Sequence, residues 1–156
     1  DEVEIIRGAL QLSEKRVATI MTPIEHVYWL KPQDVIDSIR IDEIKATGLS
    51  RIPVLNAAKT ICFGVLLVKE LVDIDFDNYQ PRVDELRLHP IQAVGSGTAL
   101  DTMFRKFIAA KTHLMPVEKD DKIAGIVTIE DLIEEILGHE IEDETDRVRP
   151  YGKSSN

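Results

Sequence analysis

The sequence predicts an α/β (α+β) fold made of two similar β-α-β-β-α units in a pseudo-two-fold arrangement. The first observation is a repeat: SRIPV at 50–54 precedes GVLLVKEL at 64–71, and HLMPV at 113–117 precedes GIVTIEDL at 125–132. The second is that a helical pattern of apolar residues comes before each copy. Two copies of a unit this long indicate a pair of folded halves with a cleft between them.

The first copy follows a short amphipathic segment, residues 1–14, whose apolar residues recur at helical spacing and predict a leading helix. The elements predicted next are a strand over 27–30, a turn over 31–34, a helix over 35–47, strands over 52–55 and 63–68, and a short helix from about Lys69. Asp34 is expected to cap the first-copy helix and Gly48 to end it. The buried side of that helix is expected to carry Val35, Ile36, Ile39 and Ile44.

The second copy repeats this order after a linker over 73–82, in which acidic and apolar residues alternate up to a proline. Its predicted elements are a strand edge at 93–94, a turn over 95–98, a helix over 99–111, strands over 114–118 and 123–128, and a helix over 129–137. Thr98 is expected to cap the first of these helices and Gly138 to stop the last. The helix over 99–111 is expected to bury Leu100, Met103, Phe104 and Phe107.

Composition limits the class of protein. The chain is 44% hydrophobic and 30% charged, which is typical of a soluble globular protein. The net charge of −9 argues against nucleic acid as a partner, because binding a phosphate backbone requires a basic surface. A single cysteine, Cys62, cannot form an internal disulfide and suggests a reducing, cytoplasmic compartment.

Three strings narrow the family: VATIMTP at 17–23, SRIPV at 50–54, and TIEDLIEEILG at 128–138 with an acidic tail after it. With them the chain resembles the tandem pair of cystathionine-β-synthase (CBS) domains of the CorC/HlyC-type, hemolysin-like proteins and their cyclin M relatives. The resemblance implies a Bateman-type module with domains over 15–72 and 83–138 and a tail over 139–156. It also implies a parent protein with a membrane domain and a C-terminal domain, linked to magnesium and cobalt transport or efflux.

The end of the second copy carries the clearest ligand-binding pattern. A strand that ends at Thr128 and turns into a helix at Ile129 presents the first free N–H groups of that helix, which attract a phosphate. The Asp131 carboxylate is an acceptor suited to ribose hydroxyls, and the Thr128 hydroxyl can donate to a phosphate or sugar oxygen. The alternative is that both residues only cap the helix. The resemblance favours the nucleotide, because CBS pairs hold adenosine nucleotides with this Thr and this Asp.

The resemblance implies further walls for the site. They are Thr22, Val27, Ser50, Arg51 and Ile52 from the first copy, with His113, Met115 and Glu130 from the second. Arg51 is the candidate phosphate contact, and a surface ion pair is the alternative in so acidic a chain. His113 either reaches the ligand or stays solvated. Ile52 and Met115 would sandwich the adenine, and both are expected in the core in any case.

The two copies differ at the decisive positions. Leu67 stands where the second copy has Thr128, and Glu70 where it has Asp131. Leucine has no hydroxyl and glutamate is one methylene longer, so we expect one nucleotide per chain. Because the chain is already acidic, Mg·ATP is the expected ligand, with the metal held by phosphates and no protein metal site. ADP and AMP stay open.

The sequence contains no recognisable nucleophile–base pair, metal-ligand spacing or glycine-rich phosphate loop. We therefore expect a regulatory module, not an enzyme. By resemblance it would form homodimers through its helices, for which the apolar residues of the last helix are Leu132, Ile133, Ile136 and Leu137. The alternative function is a structural dimerisation module that has lost its ligand.

Overall fold

The computed structural model describes residues 2 and 12–145 of the 156-residue chain. Of the predicted leading helix, residues 2 and 12–14 are helical, and the remainder lies outside the described residues, as does the tail beyond 145. The chain forms two compact units. The terminal unit joins Asp1–Val27, Ala93–Lys119 and Ala124–Asn156, and the central unit joins Tyr28–Gln92 and Asp120–Ile123.

The described elements confirm the predicted mixed fold class. In chain order they are β1 (Thr22–Pro23), α1 (Ser38–Thr47), β2 (Arg51–Leu55), β3 (Cys62–Leu67), β4 (Val94–Gly95), α2 (Leu100–Ala110), β5 (Leu114–Lys119), β6 (Lys122–Thr128) and α3 (Ile129–Thr145). Single 3₁₀ turns lie at Val17–Thr19, Ile24–His26, Val68–Leu71 and Val83–Glu85. Each sequence copy therefore contains one helix and one hairpin; a 3₁₀ turn follows the first hairpin and α3 follows the second.

The central unit is built on the antiparallel hairpin of β2 and β3. Ile52 pairs with Leu66 and Val54 with Gly64, and β2 is buried over almost its whole length. Helix α1 ends at Gly48, which takes the left-handed conformation predicted for it, with φ of 71°. The buried core of this unit consists of Leu30, Ile36, Ile41, Ile44, Ile52, Val54, Leu66, Leu71, Phe76 and Val83.

The terminal unit contains a four-stranded mixed sheet in the order β1-β6-β5-β4. Strand β1 runs antiparallel to β6, and β4 runs parallel to β5, with α2 as the connection that a parallel pair requires. Phe104 is half-buried against the core, whereas the other predicted residues of α2 belong to it. The core consists of Val17, Val94, Leu100, Met103, Phe107, Met115, Val117, Val127 and Leu132.

Each hairpin pairs along one edge with the segment that precedes the other sequence copy. Thr22 lies opposite Ile126 in β6, and His89 forms an antiparallel bridge to Val65 in β3. The repeated glycines make these approaches possible. A Cβ atom at Gly125 would lie 2.3 Å from the Thr22 carbonyl oxygen, and one at Gly64 would lie 2.6 Å from the His89 carbonyl oxygen. The glycine of each repeat is thus required by a backbone contact.

The strand predicted over 27–30 is wrong, since only Leu30 pairs, through a single parallel bridge to Val54. Pro32 follows closely and has no N–H with which to extend a ladder. The turn over 31–34 is present, with the Asp34 amide donating to the Lys31 carbonyl at 3.1 Å.

The predicted start of the first helix is also wrong. Asp34 accepts the Lys31 amide at 2.8 Å, and the cap is Asp37, whose Oδ1 accepts the Arg40 amide at 2.7 Å. The chain before Asp37 is extended because Val35 bridges Arg82. The buried side of this helix was predicted for a longer helix over 35–47. Two of its predicted members are exposed in the structure, Val35 at 46% and Ile39 at 78%.

Two predicted helix boundaries in the second copy need correction. Thr98 does not cap α2, whose N-cap is Ala99 without a side-chain bond. The Leu100 amide donates instead to the Lys15 carbonyl at 3.1 Å, so distant backbone replaces the cap. Gly138 does not stop α3, which continues to Thr145. A glycine inside a helix costs only about 1 kcal/mol relative to alanine, and helix formation continues on both sides of Gly138.

Candidate functional site

The end of β6 and the start of α3 form a reciprocal hydrogen-bonded junction. The Thr128 amide donates to Asp131 Oδ2 at 2.9 Å, and the Asp131 amide donates to Thr128 Oγ1 at 3.1 Å. Two backbone donors at the helix start are thus satisfied by side chains, as in a capping box. Thr128 and Asp131 therefore cap the helix, and the cap holds both side chains at one point.

The capping bonds are compatible with ligand binding at the same atoms. Thr128 Oγ1 accepts a hydrogen bond in the cap, so its own hydrogen can be donated elsewhere. A carboxylate such as Asp131 can accept about four hydrogen bonds. Both side chains are half-buried, and the helix N-terminus beside them carries partial positive charge. The junction therefore offers a donor to a phosphate or sugar oxygen and an acceptor to a ribose hydroxyl.

His113 and Glu130 lie beside this junction in the terminal unit. The His113 carbonyl accepts the Ile129 amide at 3.0 Å, which ties the start of β5 to the start of α3. The His113 ring Nδ1 lies 3.9 Å from Glu130 Oε2, and the two side chains are 53% and 66% exposed. Both side chains are therefore accessible from solvent.

The other predicted residues of the terminal unit are Thr22, Val27 and Met115. Thr22 is half-buried in β1, opposite Ile126 and so next to the end of β6. Val27 is half-buried and follows the turn at Ile24–His26. Met115 is 1% exposed and packs in the core of the unit.

The central unit holds Ser50, Arg51 and Ile52 on consecutive positions. The Ser50 carbonyl accepts the Val68 amide at 3.0 Å, the same bond that His113 makes in the second copy. Arg51 begins β2 and is half-buried, and it forms no ion pair with any residue of the described part of the chain. Ile52 is fully buried in the core of the unit. The guanidinium of Arg51 therefore retains its capacity to bind an anion.

At the end of the first-copy hairpin, Glu70 stands at the position of Asp131 but has different partners. Glu70 Oε1 lies 2.9 Å from His89 Nε2, and Glu70 Oε2 lies 3.9 Å from Arg87 Nη1. The hydrogen bond from His89 lowers the pKa of Glu70. Leu67 precedes a single 3₁₀ turn and makes no side-chain cap. The contact of Glu70 with His89 was not predicted, although the match of His89-Pro90 to Thr22-Pro23 is visible in the repeat.

Among residues 12–138, no group of three or more His, Cys, Asp or Glu side chains is arranged to hold a metal ion. Within the same part of the chain, no helix combines the length and the apolar character that crossing a bilayer would require. Of the apolar residues predicted on the last helix, Leu132 is fully buried within the terminal unit, whereas Ile133 and Leu137 are 44% and 50% exposed.

Comparison with known proteins gives a consistent set of similarities. A family model described as the CBS domain matches residues 83–138. Protein MAM3 of Saccharomyces cerevisiae is 35% identical over 151 residues, which are 94% of this chain and 21% of that protein. Metal transporter cnnm-1 of Caenorhabditis elegans is 35% identical over 161 residues, which cover 95% of this chain and 20% of that protein. The chain therefore spans about a fifth of the length of these relatives.

Among solved structures, the CBS domain of a bacterial CNNM/CorC family Mg²⁺ transporter in complex with ATP has a TM-score of 0.76 against this chain. The two are 27% identical, and the match covers 88% of this chain and 97% of that one. The similarity therefore extends over both sequence copies.

Proposed function

Because this chain is a pair of CBS domains of the CNNM/CorC type, we propose that it is a regulatory module that binds an adenosine nucleotide and has no catalytic activity of its own. The single observation that carries this proposal is the Thr128–Asp131 junction, where a donor, an acceptor and a helix N-terminus meet. A similar bacterial CBS domain has been solved in complex with ATP, which supports the same ligand class here.

In this proposal the roles of the side chains follow from their chemistry. Asp131 accepts from the ribose hydroxyls, and Thr128 donates to a phosphate or sugar oxygen. Arg51 is the phosphate contact, because its planar fork of donors suits an oxyanion and it forms no ion pair with another described residue. Thr22, Val27, Ser50, Ile52, His113, Met115 and Glu130 complete the proposed set.

We further propose Mg·ATP as the preferred form of the ligand. The chain carries a net charge of −9, and a free triphosphate would add to that charge. Magnesium reduces the charge of the ligand and is held mainly by the phosphates themselves. ADP or AMP would carry less charge and depend less on the metal.

One nucleotide per chain is the proposed stoichiometry. The first-copy acid, Glu70, is engaged by His89 at 2.9 Å, and Leu67 supplies no hydroxyl. A ligand at this position would have to displace the imidazole and forgo the second donor. Both requirements weaken binding relative to the second copy.

The proposed setting is the cytosolic side of a membrane protein concerned with magnesium or cobalt transport or efflux. The two similar curated proteins are about five times longer than this chain, so a membrane domain and a C-terminal domain are proposed as its covalent partners. Ligand binding regulates such a partner only if the nucleotide has different affinities for two arrangements of the protein. Homodimerisation through the CBS helices is the proposed route to two arrangements.

Isothermal titration calorimetry with ATP, ADP, AMP and S-adenosylmethionine tests the proposal. We expect one site per chain for Mg·ATP, loss of binding in Asp131→Ala, and unchanged binding in the matched first-copy variant Glu70→Ala. A true ligand at a hundredfold excess over its Kd stabilises the fold by about 2.7 kcal/mol, so thermal shift provides a second readout. Two equivalent sites, or equal loss in both variants, contradict the assignment. Equal ATP affinity in excess EDTA and in excess Mg²⁺ contradicts the role of the metal.

The second candidate function is a ligand-free dimerisation module. The observation that favours it is that the Thr128–Asp131 cap is complete without a ligand, while Ile133 and Leu137 lie one helical turn apart and exposed on α3. Absence of a thermal shift with every nucleotide, together with a dimer that dissociates in Ile133→Glu, would support this function instead.

A further inference from the structure

Residues 15–22 form a strap across the junction of β6 and α3, which we call the lead-in strap. At one end of the strap, Thr22 pairs with Ile126, just before Thr128 in β6. At the other end, Lys15 Nζ lies 2.7 Å from Glu135 Oε2, one helical turn beyond Asp131 in α3. The strap therefore holds both the strand before the nucleotide-binding residues and the helix after them.

The middle of the strap is fixed by backbone hydrogen bonds. The Val17 amide donates to the Thr98 carbonyl at 2.8 Å, and the Ala18 amide donates to the Ser96 carbonyl at 3.2 Å. Val17 is fully buried in the core of the terminal unit. These contacts anchor the middle of the strap to the terminal unit.

At β6 the backbone of the strap approaches Gly125 closely. A Cβ atom at Gly125 would lie 2.3 Å from the Thr22 carbonyl oxygen and 2.9 Å from Met21 Sδ. At α3 the Glu135 side chain is 17% exposed and that of Lys15 is 38% exposed, so the charge pair is partly shielded from solvent. A shielded, hydrogen-bonded pair holds its geometry better than one on the open surface.

The position of Glu135 determines what the pair can do. Residues four apart on a helix share a face, so Glu135 and Asp131 move together when α3 rotates or tilts. The strap thus contacts the strand near Ile126 and the helix at Glu135. A change in the angle between strand and helix would move the Asp131 carboxylate relative to the Thr128 hydroxyl.

We propose that Lys15 is a positioning residue, which acts through Glu135 to hold the Thr128–Asp131 junction in the geometry that binds nucleotide. The inference rests on the proposed function for its ligand, but its effect on the junction exists without one. By thermodynamic linkage, a nucleotide bound at the junction must stabilise the strap by the same factor that the strap strengthens binding.

Calorimetry with Mg·ATP on four variants of the full chain tests the role in binding. We expect Lys15→Met and Glu135→Gln each to weaken binding about five- to tenfold, within the usual range of coupling between sites. Lys15→Arg keeps the charge and should restore most of the affinity. The control is Glu118→Gln, which removes the same charge from an exposed residue of β5 in the same unit.

The sign of the Glu135→Gln effect separates positioning from general electrostatics. Removing a negative charge from an acidic protein should strengthen the binding of an anion if bulk charge were the only factor. Positioning by the strap predicts the opposite change. Stronger or unchanged binding in Glu135→Gln would overturn the proposal.

Amide hydrogen exchange without ligand keeps this test independent of the proposed function. In Lys15→Met and Glu135→Gln we expect exchange at the Thr128 and Asp131 amides to accelerate about tenfold, with the Ile41 amide in α1 unchanged as a control for global stability. Unchanged exchange at the junction overturns the strap inference. If the wild-type chain binds no nucleotide, the proposed function fails, and the exchange data alone decide whether the strap positions the junction.

Discussion

Replacing Thr128 by alanine tests the physical basis of the junction directly. The substitution removes Oγ1, which accepts the Asp131 amide at 3.1 Å, and leaves the reverse bond from the Thr128 amide to Asp131 Oδ2 in place. A threonine cap replaced by alanine costs about 1 kcal/mol of folding free energy, within a range of about 0.5–2 kcal/mol. Because one of the two reciprocal bonds survives, we expect a loss near the middle of that range.

Urea unfolding followed by circular dichroism measures this loss. With a denaturant slope of about 2 kcal/mol per molar urea, the midpoint should fall by about 0.5 M while the slope stays constant. Thr128→Ser retains the hydroxyl and should remain within about 0.5 kcal/mol of the wild type. The single tryptophan, Trp29, lies in the central unit, so its fluorescence shows whether both units unfold in one transition.

Three results of the Thr128→Ala and Thr128→Ser experiments would refute the reasoning. A loss below about 0.3 kcal/mol would mean that the cap contributes nothing in solution. A loss above about 3 kcal/mol would mean that Thr128 contributes more than a helix cap, since the loss of a cap does not reach that size. Equal losses of stability in the serine and alanine variants would show that the Thr128 hydroxyl does not stabilise the helix end.

Three further predictions concern the scaffold. Gly125→Ala should destabilise the terminal unit by about 1–3 kcal/mol in urea unfolding, because the new Cβ would lie 2.3 Å from the Thr22 carbonyl oxygen. Wild-type stability in this variant would contradict that close contact. Asp37→Ala should cost about 1 kcal/mol in the same assay, and no loss would mean that Asp37 is not the cap. Burial, and then the hydrogen bond to Glu43, raise the pKa of Tyr28 from 10.0 to about 12. The neutral phenol of Tyr28 therefore contributes to the stability of the fold below its unfolded pKa of 10.0, and this contribution is lost as pH rises through about 12. Ultraviolet titration should show that Tyr28 ionises at a higher pH than an ordinary tyrosine. In Glu43→Gln the midpoint of this ionisation should fall to a lower pH, and an unchanged midpoint would contradict the hydrogen bond.

Local sequence patterns predicted the features that depend on few neighbouring residues. Gly48 ends α1 because a left-handed backbone at a helix end favours glycine, and this is readable from periodicity. The contact of Thr128 with Asp131 follows from their spacing at a helix start. The hairpins of both copies and the helices α1 and α2 agree with the prediction to within a few residues for the same reason.

The errors arose where distant backbone replaced a local signal. Aspartate is a common helix cap, which is why Asp34 was predicted as one. The bridge from Val35 to Arg82 keeps the chain extended after Asp34, so the helix begins later and Asp37 caps it. Thr98 lost its predicted role because its amide and carbonyl are used by Gly95 and Val17. Neither pairing can be recognised from spacing along the chain. The same holds for the ion pair of Lys15 with Glu135, whose members are 120 residues apart.

The exchange of edge strands between the two copies has a consequence for biosynthesis. Thr22 and residues 28–92 of the central unit leave the ribosome before β6, so Thr22 has no partner until β6 has been translated. During that interval the nascent chain carries an unpaired edge segment, and such contacts between remote positions are slow to close. A cut in the linker would leave each hairpin without the strand that protects its edge. Expression of either sequence repeat alone should therefore yield aggregating protein, even though each repeat looks complete.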